Sequence, residues 1–343
     1  MAGKRLKWWP IFKMLLGVGI VALVAWQLSR DLYRLPPRTE PIGYGWLVMS
    51  ALLYLIGLGL SGVFWLRLLG HMQAAPPWLQ GMRAYYLSQL GKYAPGKALA
   101  LVLRVALVHG PNTPRATAAL AAFYEVLTTM AVGVLLALPL IALVHPAQTR
   151  GLDWPALLRL EMSAAHDPSR VEVAILTLLL LAVTALPLTP WLFNRLAQGV
   201  TRPFGMATPP AVTYAYLGEG VLMLSPCWLL FGLALACGCA ALPEIAMPWT
   251  LENLARLVLL MAVAYVGGFV VPAPGGLGGR EYLLLLLLLP MLQGERPTAS
   301  LVVLLLRLAW TVGEVVLAGV LYWLPLTQTP QPLSERREPG GLT

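Results

Sequence analysis

The sequence predicts an all-α polytopic membrane protein with about six full spans and two re-entrant or broken helical hairpins, arranged as an inverted repeat. Composition is the first reason, because the chain of 343 residues is 58% hydrophobic and only 11% charged. Soluble domains carry about 25% charged residues. The second reason is a set of long apolar stretches, and the third is a pair of Pro/Gly-rich breaks between shorter apolar stretches.

Six stretches are long and apolar enough to cross a bilayer, which takes about 20 mostly apolar residues. They are residues 8–29, 44–69, 116–144, 171–193, 212–242 and 299–324. The first follows a basic start, as a signal peptide does. However, no small-x-small cleavage site precedes the polar stretch that follows it. We therefore expect this first stretch to remain as an uncleaved span.

Regions 79–109 and 254–293 are also apolar, but each is interrupted near its middle. Each half of the chain then has the order span, span, broken hairpin, span. If the hairpins are re-entrant, each half crosses the membrane an odd number of times, which inverts the second half relative to the first. The expected organisation is a single integral membrane domain (1–326) with halves 1–146 and 171–326, followed by a disordered polar tail (327–343).

The positive charge of the chain predicts its orientation. A net charge of +9 would suggest nucleic acid as a partner for a soluble protein. In a membrane protein, the positive-inside rule explains the same charge, so no nucleic-acid partner is expected. Lys and Arg are more frequent at the N-terminus, the 194–211 loop and the other segments on that side. We expect a multi-pass protein of the bacterial cytoplasmic (inner) membrane, with both termini inside.

The two Pro/Gly breaks are the most informative motifs. One is PAPGGLGGRE at residues 272–281, and the other is YAPGK at residues 93–97. Irregular backbone should not face lipid, because each unpaired N–H or C=O group in hydrocarbon costs several kcal/mol. Each break should instead line a polar space. The half-helix that follows each break presents free N–H groups and the positive end of its dipole, which favours phosphate or carboxylate.

Charged residues gather around both breaks. Lys92 and Lys97 flank the first break, and Arg104 lies on the same helix face as Lys97. Arg280 and Glu281 follow the second break. Charges at membrane depth are usually paired or functional because insertion costs at least about 2.5–3.5 kcal/mol each.

Three groups of residues are therefore candidates for a lipid-phosphate site. The predicted phosphate-binding cations are Lys97, Arg104 and Arg280. The residues that would shape the backbone are Pro95, Gly96, Pro274, Gly275 and Gly276. The residues that would brace or gate the site are Glu125, Glu281 and Arg307.

Structural interpretations of the same residues remain open. The glycines permit tight helix crossings, and lysines extend their amines to the interface. Salt bridges between Glu125 and Arg104, or between Arg307 and Glu281, would be purely structural. A charge network could also brace the hairpins that form a site, so the interpretations are compatible.

Other chemistry has no supporting pattern. The four histidines form no ligand-spaced pair, and the three cysteines lack zinc or disulfide spacing, so neither a metal nor a cofactor is expected. The sequence contains no GxSxG elbow and no Walker A loop. GLGG at 276–279 follows no strand of a βαβ unit, which makes a dinucleotide site a weak hypothesis.

The hairpin motifs resemble a known family. GKYAPGKALALVLR (91–104), Glu125, PAPGGLGGRE (272–281) and Arg307 are similar to the transmembrane region of lysylphosphatidylglycerol synthase, the flippase-like part of the multiple peptide resistance factors. The resemblance implies an inner-membrane protein that binds and translocates an anionic or aminoacylated phospholipid, or a polyprenyl-phosphate-linked glycan. The sequence contains no soluble aminoacyl-transfer domain, so synthase activity is not expected to carry over.

The favoured hypothesis is a flippase-like protein whose two hairpin tips meet and bind a lipid phosphate. Two alternatives belong to other classes. A membrane-embedded transferase of envelope lipid or glycan synthesis would use Glu125 or Glu281 as a general base. An accessory subunit of such a synthase would use the hairpins only structurally. Membrane lipids are the expected partners, with an envelope glycosyltransferase or aminoacyl-transferase as a further candidate.

Overall fold

The computed structural model describes residues 26, 41–93, 99–110, 112–143, 179, 182–201, 210–270 and 279–325. The predicted first span (apart from Trp26), the loop at 145–170 and the tail at 327–343 lie outside these residues. Regular structure in the described part of the chain is helical, apart from an isolated bridge between Gly110 and Thr113. The predicted all-α class is confirmed.

The helices of the described residues are numbered here in chain order. They are α1 (Tyr44–His71), α2 (Trp78–Gln89), which continues as a 3₁₀ turn (Leu90–Tyr93), α3 (Leu99–Val108), α4 (Arg115–Leu143), α5 (Pro190–Thr201), α6 (Tyr214–Ala240), α7 (Leu251–Val270), α8 (Gly279–Leu288) and α9 (Arg296–Trp323). By length and composition, α1, α4, α6, α7 and α9 contain candidate membrane spans. The chain is therefore a multi-pass membrane protein.

Four of these candidate spans agree with the sequence prediction, namely those in α1, α4, α6 and α9. The span predicted at 171–193 differs in its described part. The chain there forms a 3₁₀ turn over Leu186–Leu188, and α5 then begins at Pro190. Pro187 and Pro190 supply no backbone N–H and disfavour helical geometry in the residue before them. The prediction that one helix runs to residue 193 is wrong.

Both predicted breaks separate helical arms. The first lies between the 3₁₀ turn ending at Tyr93 and the start of α3 at Leu99, and the second lies between α7 and α8. The arms of the two regions differ in length, because α2 has 12 residues and α7 has 20. Residues Leu251–Gly268 of α7 form a candidate span by themselves. From the sequence, we expected this stretch to be one arm of a re-entrant hairpin.

Helix α6 lies at the centre of the bundle, packed against α1, α4, α7 and α9. Hydrogen bonds tie three of these helices together. Ser50 Oγ donates to the backbone oxygen of Ala234 at 2.6 Å, and Trp310 Nε1 donates to Ser50 Oγ at 3.0 Å. These buried bonds join α1, α6 and α9, the helices against which the arms of the breaks are placed.

A glycine before each break permits close approach to the arm after it. A Cβ added at Gly91 would lie 2.9 Å from the Cα of Ala100 in α3. A Cβ added at Gly268 would lie 2.7 Å from the Cα of Arg280 in α8. These contacts involve backbone, which cannot rotate away as a long side chain does. At both breaks a glycine thus lets the flanking arms pack closely, and at the second break this contact positions Arg280.

We predict that Gly268→Ala forces α7 and α8 apart and lowers the free energy of unfolding by about 1–3 kcal/mol, the usual cost of overpacking. Titration with a denaturing detergent in mixed micelles measures it. Gly319→Ala is the matched control, because Gly319 lies in α9 with nothing within 4 Å of an added Cβ. Equal stability of the two variants would contradict the close approach described here.

Candidate functional site

A cavity of about 210 Å³ lies between the arms of the two breaks. Lys92 and Ala100 line it from the two sides of the first break. Gly268 and Arg280 line it from the two sides of the second. Helices α1, α4, α6 and α9 complete its wall. The arms that flank the two sequence motifs thus border one cavity.

Every predicted site residue that the structure describes lines this cavity. These residues are Arg104, Glu125, Arg280, Glu281 and Arg307. The other predicted residues, Lys97, Pro95, Gly96, Pro274, Gly275 and Gly276, lie outside the described residues. The structure therefore places together the charges of four separate helices, α3, α4, α8 and α9.

Arg104 and Glu125 form a buried ion pair. Arg104 Nη1 donates to Glu125 Oε2 at 2.7 Å, and both side chains are only 4% exposed. Arg104 Nε also donates to Ser88 Oγ at 3.2 Å, and its guanidinium lies 4.2 Å from the ring centroid of Tyr85. Arg104 thereby connects α3 with α2 and α4, across the first break.

Lys92 and Glu314 form a second ion pair, between the 3₁₀ turn and α9, in which Glu314 is buried and Lys92 is partly exposed. Tyr54 donates its hydroxyl to Glu314 Oε1 at 2.8 Å, and Tyr93 donates to Glu314 Oε2 at 2.9 Å. The hydroxyls of Tyr93 and Thr311 are also hydrogen bonded, at 2.9 Å. Glu314 is thus held by two hydroxyls and an ammonium group. This network fixes the residues just before the first break.

Arg280 lies in the first turn of α8, directly after the second break. Its Nη2 donates to Glu281 Oε1 at 3.2 Å. Its guanidinium lies 5.4 Å from the ring centroid of Trp310. These contacts orient Arg280 towards α9, in the wall of the same cavity as Lys92.

The cavity cations differ in their access to a ligand. The Lys92 side chain is 31% exposed and the Arg280 side chain is 21% exposed, whereas the Arg104 side chain is 4% exposed. An incoming anion would therefore meet Lys92 and Arg280 before Arg104. Arg104 contacts Glu125, which is the salt bridge that the sequence left open as a structural alternative.

Aromatic side chains make up much of the remaining wall. Tyr54 and Trp310 stack with ring centroids 4.5 Å apart, and Phe231 lies 5.4 Å from Tyr54. Tyr265 lines the cavity from α7. The space is therefore bounded by rings and by charges, which suits a ligand with an anionic group and an uncharged remainder.

Glu219 lies outside this cavity. Its carboxylate forms an ion pair with Arg67 and a hydrogen bond with His71 Nε2 at 2.9 Å. The His71 ring stacks on Tyr216 with centroids 4.4 Å apart. These contacts join the end of α1 to the start of α6 and are separate from the site.

Lys92 lies beside a break in the sequence and Glu314 lies within the predicted span 299–324, but no pattern in the sequence pairs them. A signal for the pair existed, since a carboxylate inside a span requires a cationic partner. The sequence contains no comparable signal for the aromatic side chains that line the cavity. Tyr54, Phe231 and Trp310 come from three helices and are indistinguishable in sequence from ordinary packed aromatic residues.

Comparison with known proteins identifies a family. The family model described as Lysylphosphatidylglycerol synthase TM region matches residues 14–319. No curated protein matches the chain. No solved structure matches it. The matched range includes both breaks and every charged residue that lines the cavity.

We predict that Arg104→Met lowers the free energy of unfolding by about 3–5 kcal/mol, because it leaves Glu125 as an unpaired buried charge. The double variant Arg104→Met with Glu125→Met should be more stable than the single variant, because it removes both charges. Denaturing-detergent titration measures both.

The matched control is Glu252→Gln, which removes the ion pair of the exposed Glu252 side chain with Arg256 within α7. Its cost should be about 0–1 kcal/mol. If Arg104→Met costs no more than this control, the pair does not brace the first break.

Proposed function

Because the chain belongs to the family of lysylphosphatidylglycerol synthase transmembrane regions, we propose that it binds a phosphate-bearing lipid and moves its head group across the membrane. The substrate classes that fit are an anionic phospholipid, an aminoacylated phospholipid and a polyprenyl-phosphate-linked lipid. The family supports a membrane protein of lipid metabolism, and the residues of the cavity support the choice of a lipid phosphate.

One observation carries the proposal: the arms of both breaks border the same cavity, and cationic side chains line it from the arms of each. Lys92 and Arg280 are the more exposed cations and would contact the phosphate. Arginine offers a planar set of donors that matches phosphate oxygens, and lysine supplies a compact charge. The first turn of α8, which begins at Gly279, would add backbone N–H groups.

Other residues would support this contact. Arg104 would hold the first break in place through Glu125, and Glu281 and Arg307 would complete the charge network from α8 and α9. Lys97, Pro95 and Gly96 would extend the site at the first break. Pro274, Gly275 and Gly276 would do so at the second.

Translocation would follow when the phosphate replaces a carboxylate of the protein as the partner of a cavity cation. A bound phosphate competes with Glu314 for Lys92 and with Glu281 for Arg280. Loss of the Lys92–Glu314 pair loosens the contact between the 3₁₀ turn and α9, so a ligand that prefers the loosened state shifts the population towards it. Acyl chains would remain in lipid while the head group passes through the cavity. The sequence has no Walker A loop, so we propose a gradient, downhill scrambling or a partner as the driving force.

The transferase alternative is less well supported by the carboxylates of the cavity. A general base must accept a proton from the substrate. Glu125 already accepts hydrogen bonds from Arg104 and from Tyr85, the latter at 3.3 Å. Glu281 accepts a hydrogen bond from Arg280. The accessory-subunit alternative does not require charges in a cavity at all. We place the protein in the bacterial inner membrane with both termini inside.

We predict that Arg280→Ala weakens binding of phosphatidylglycerol by about 2 kcal/mol or more, roughly thirtyfold, because a desolvated charge pair with the phosphate is lost. Binding is measured with purified protein in micelles by competition with a fluorescent anionic lipid. Movement is measured in liposomes with the same lipid. Arg280→Lys should retain part of the binding, because it keeps the charge and loses the planar donors.

The control is Arg195→Ala, which makes the same charge change on α5, where Arg195 is exposed and lies 4.4 Å from the ring centroid of Trp191. It should bind and move lipid as the wild type does. If Arg280→Ala is folded and equals the wild type in both assays, the phosphate site is not at Arg280.

A further inference from the structure

Most of the uncharged polar side chains that line the cavity are hydrogen bonded to other groups of the protein. They are Tyr54, Ser61, Tyr85, Tyr93, Thr129, Thr311 and Trp310. The partner of Tyr54, for example, is the Glu314 carboxylate. A ligand that used one of these groups would have to break an existing bond and leave a protein group unpaired, which is costly.

Gln89 and Tyr265 line the same cavity and differ from these residues. Within the part of the chain that the structure describes, neither the Gln89 amide nor the Tyr265 hydroxyl has a hydrogen-bond partner. Both residues are half-buried, and neither polar group is fully buried, in contrast to the unpaired hydroxyl of Tyr124. A ligand can therefore bind these two groups without displacing a bond of the protein.

Tyr265 lies on α7, the arm before the second break. Its ring packs edge-on against Trp228 of α6, with centroids 5.4 Å apart and planes at 90°. Trp228 is itself fixed, because its Nε1 donates to a backbone oxygen of α4 at 3.0 Å. The Tyr265 hydroxyl lies close enough to Lys92, Arg280 and Glu125 to interact electrostatically with each. It is thus held in place near the cations of both breaks.

Gln89 is the last residue of α2, on the arm before the first break. Its neighbour Ser88 donates its hydroxyl to the backbone oxygen of Tyr85 at 2.6 Å and accepts a hydrogen bond from Arg104 Nε at 3.2 Å. These bonds fix the end of α2. The arm before each break therefore supplies one uncharged polar group that is open to a ligand.

The two open groups differ from the cations of the cavity because they accept hydrogen bonds as well as donating them. A glutamine amide has an acceptor oxygen and a donor NH₂ group, and a phenol hydroxyl both donates and accepts. A phosphate diester has acceptors only, so it cannot pair with the acceptor side of either group. A hydroxyl on the head group both donates and accepts, so it can pair with both sides.

We infer that Gln89 and Tyr265 bind hydroxyl groups of the lipid head group, so that the cavity selects a phosphate joined to a hydroxylated group such as glycerol or a sugar. An alkyl head group of the same size would leave both side chains unpaired. A site that hydrogen bonds a substrate hydroxyl rejects the analogue without it in this way. The inference rests on the proposed function, because it concerns the ligand of the same cavity.

The test compares lipids that have the same charge and nearly the same size. Phosphatidylglycerol and phosphatidyl-1-propanol are both monoanions with a three-carbon head group, but only phosphatidylglycerol has hydroxyls on that group. Each competes with a fluorescent anionic lipid for the purified chain in micelles. Phosphatidylglycerol should bind about tenfold more tightly, which is the usual effect of two net hydrogen bonds.

A second matched pair identifies the source of the hydroxyls. Polyprenyl phosphomannose and ethyl polyprenyl phosphate are both diesters with the same charge, and only the mannose lipid has hydroxyls. The inference predicts a preference for the hydroxylated lipid in at least one of the two pairs. The pair with the larger preference shows whether glycerol or a sugar is the better ligand.

Two variants test the assigned residues. Tyr265→Phe removes the hydroxyl and keeps the ring against Trp228, and Gln89→Met removes the amide at similar size. Each should weaken binding of the preferred hydroxylated lipid about threefold to tenfold and leave binding of its alkyl counterpart unchanged. Tyr214→Phe is the matched control, because Tyr214 is 70% exposed at the start of α6. Its loss of a hydroxyl should leave both affinities unchanged.

The results separate this inference from the proposed function. If the two lipids of each pair bind the wild type equally, and Arg280→Ala weakens all of them, the function stands and the inference is wrong. If folded Tyr265→Phe weakens both lipids of a pair alike, its hydroxyl binds the phosphate, which also overturns the inference. An unchanged preference in both folded variants would do the same. If neither variant folds, the lipid pairs on the wild type decide alone. If no lipid of the series binds the wild type, the proposed function itself fails.

Discussion

The pairing of charges inside an apolar bundle is the constraint on which the rest of this structure depends. A charged side chain at membrane depth costs at least about 2.5–3.5 kcal/mol, and the chain places several around one cavity. The cost is tolerable because Arg104 contacts Glu125, and because Lys92 contacts Glu314 together with two hydroxyls. Each pair also joins an arm of the first break to a long helix. Charge compensation and helix placement are thus achieved by the same contacts.

These ion pairs hold the arms of the first break against α4 and α9. Irregular backbone requires a surrounding that is not lipid, and the arms of both breaks border a common cavity. Gly91 and Gly268 let the arms on either side of each break approach closely. The proposed binding of a phosphate uses the more exposed cations and leaves the sealed pair as a brace. Competition between ligand phosphate and internal carboxylates then links binding to motion of the arms.

Hydropathy and the break motifs were sufficient to predict the helical class and four candidate spans, because a bilayer demands long apolar segments. The same criterion failed near residue 187, where apolarity is high but prolines interrupt the helix. The charged cavity residues were predictable as a set, since each is costly unless paired or functional. The partner of each charged residue was harder to predict. Lys92 and Glu314 are 222 residues apart in sequence, and the packing of α9 against α2 brings them together.

The central claim is that an anionic head group occupies the cavity between the breaks. Photo-crosslinking with phosphatidylglycerol that carries a diazirine in its head group, followed by peptide mapping, tests it directly. The account predicts adducts on cavity residues such as Tyr54 and Thr311, lost when unlabelled phosphatidylglycerol is added in excess. Adducts confined to exposed positions of the same helices, such as Leu52 and Val316, would contradict it.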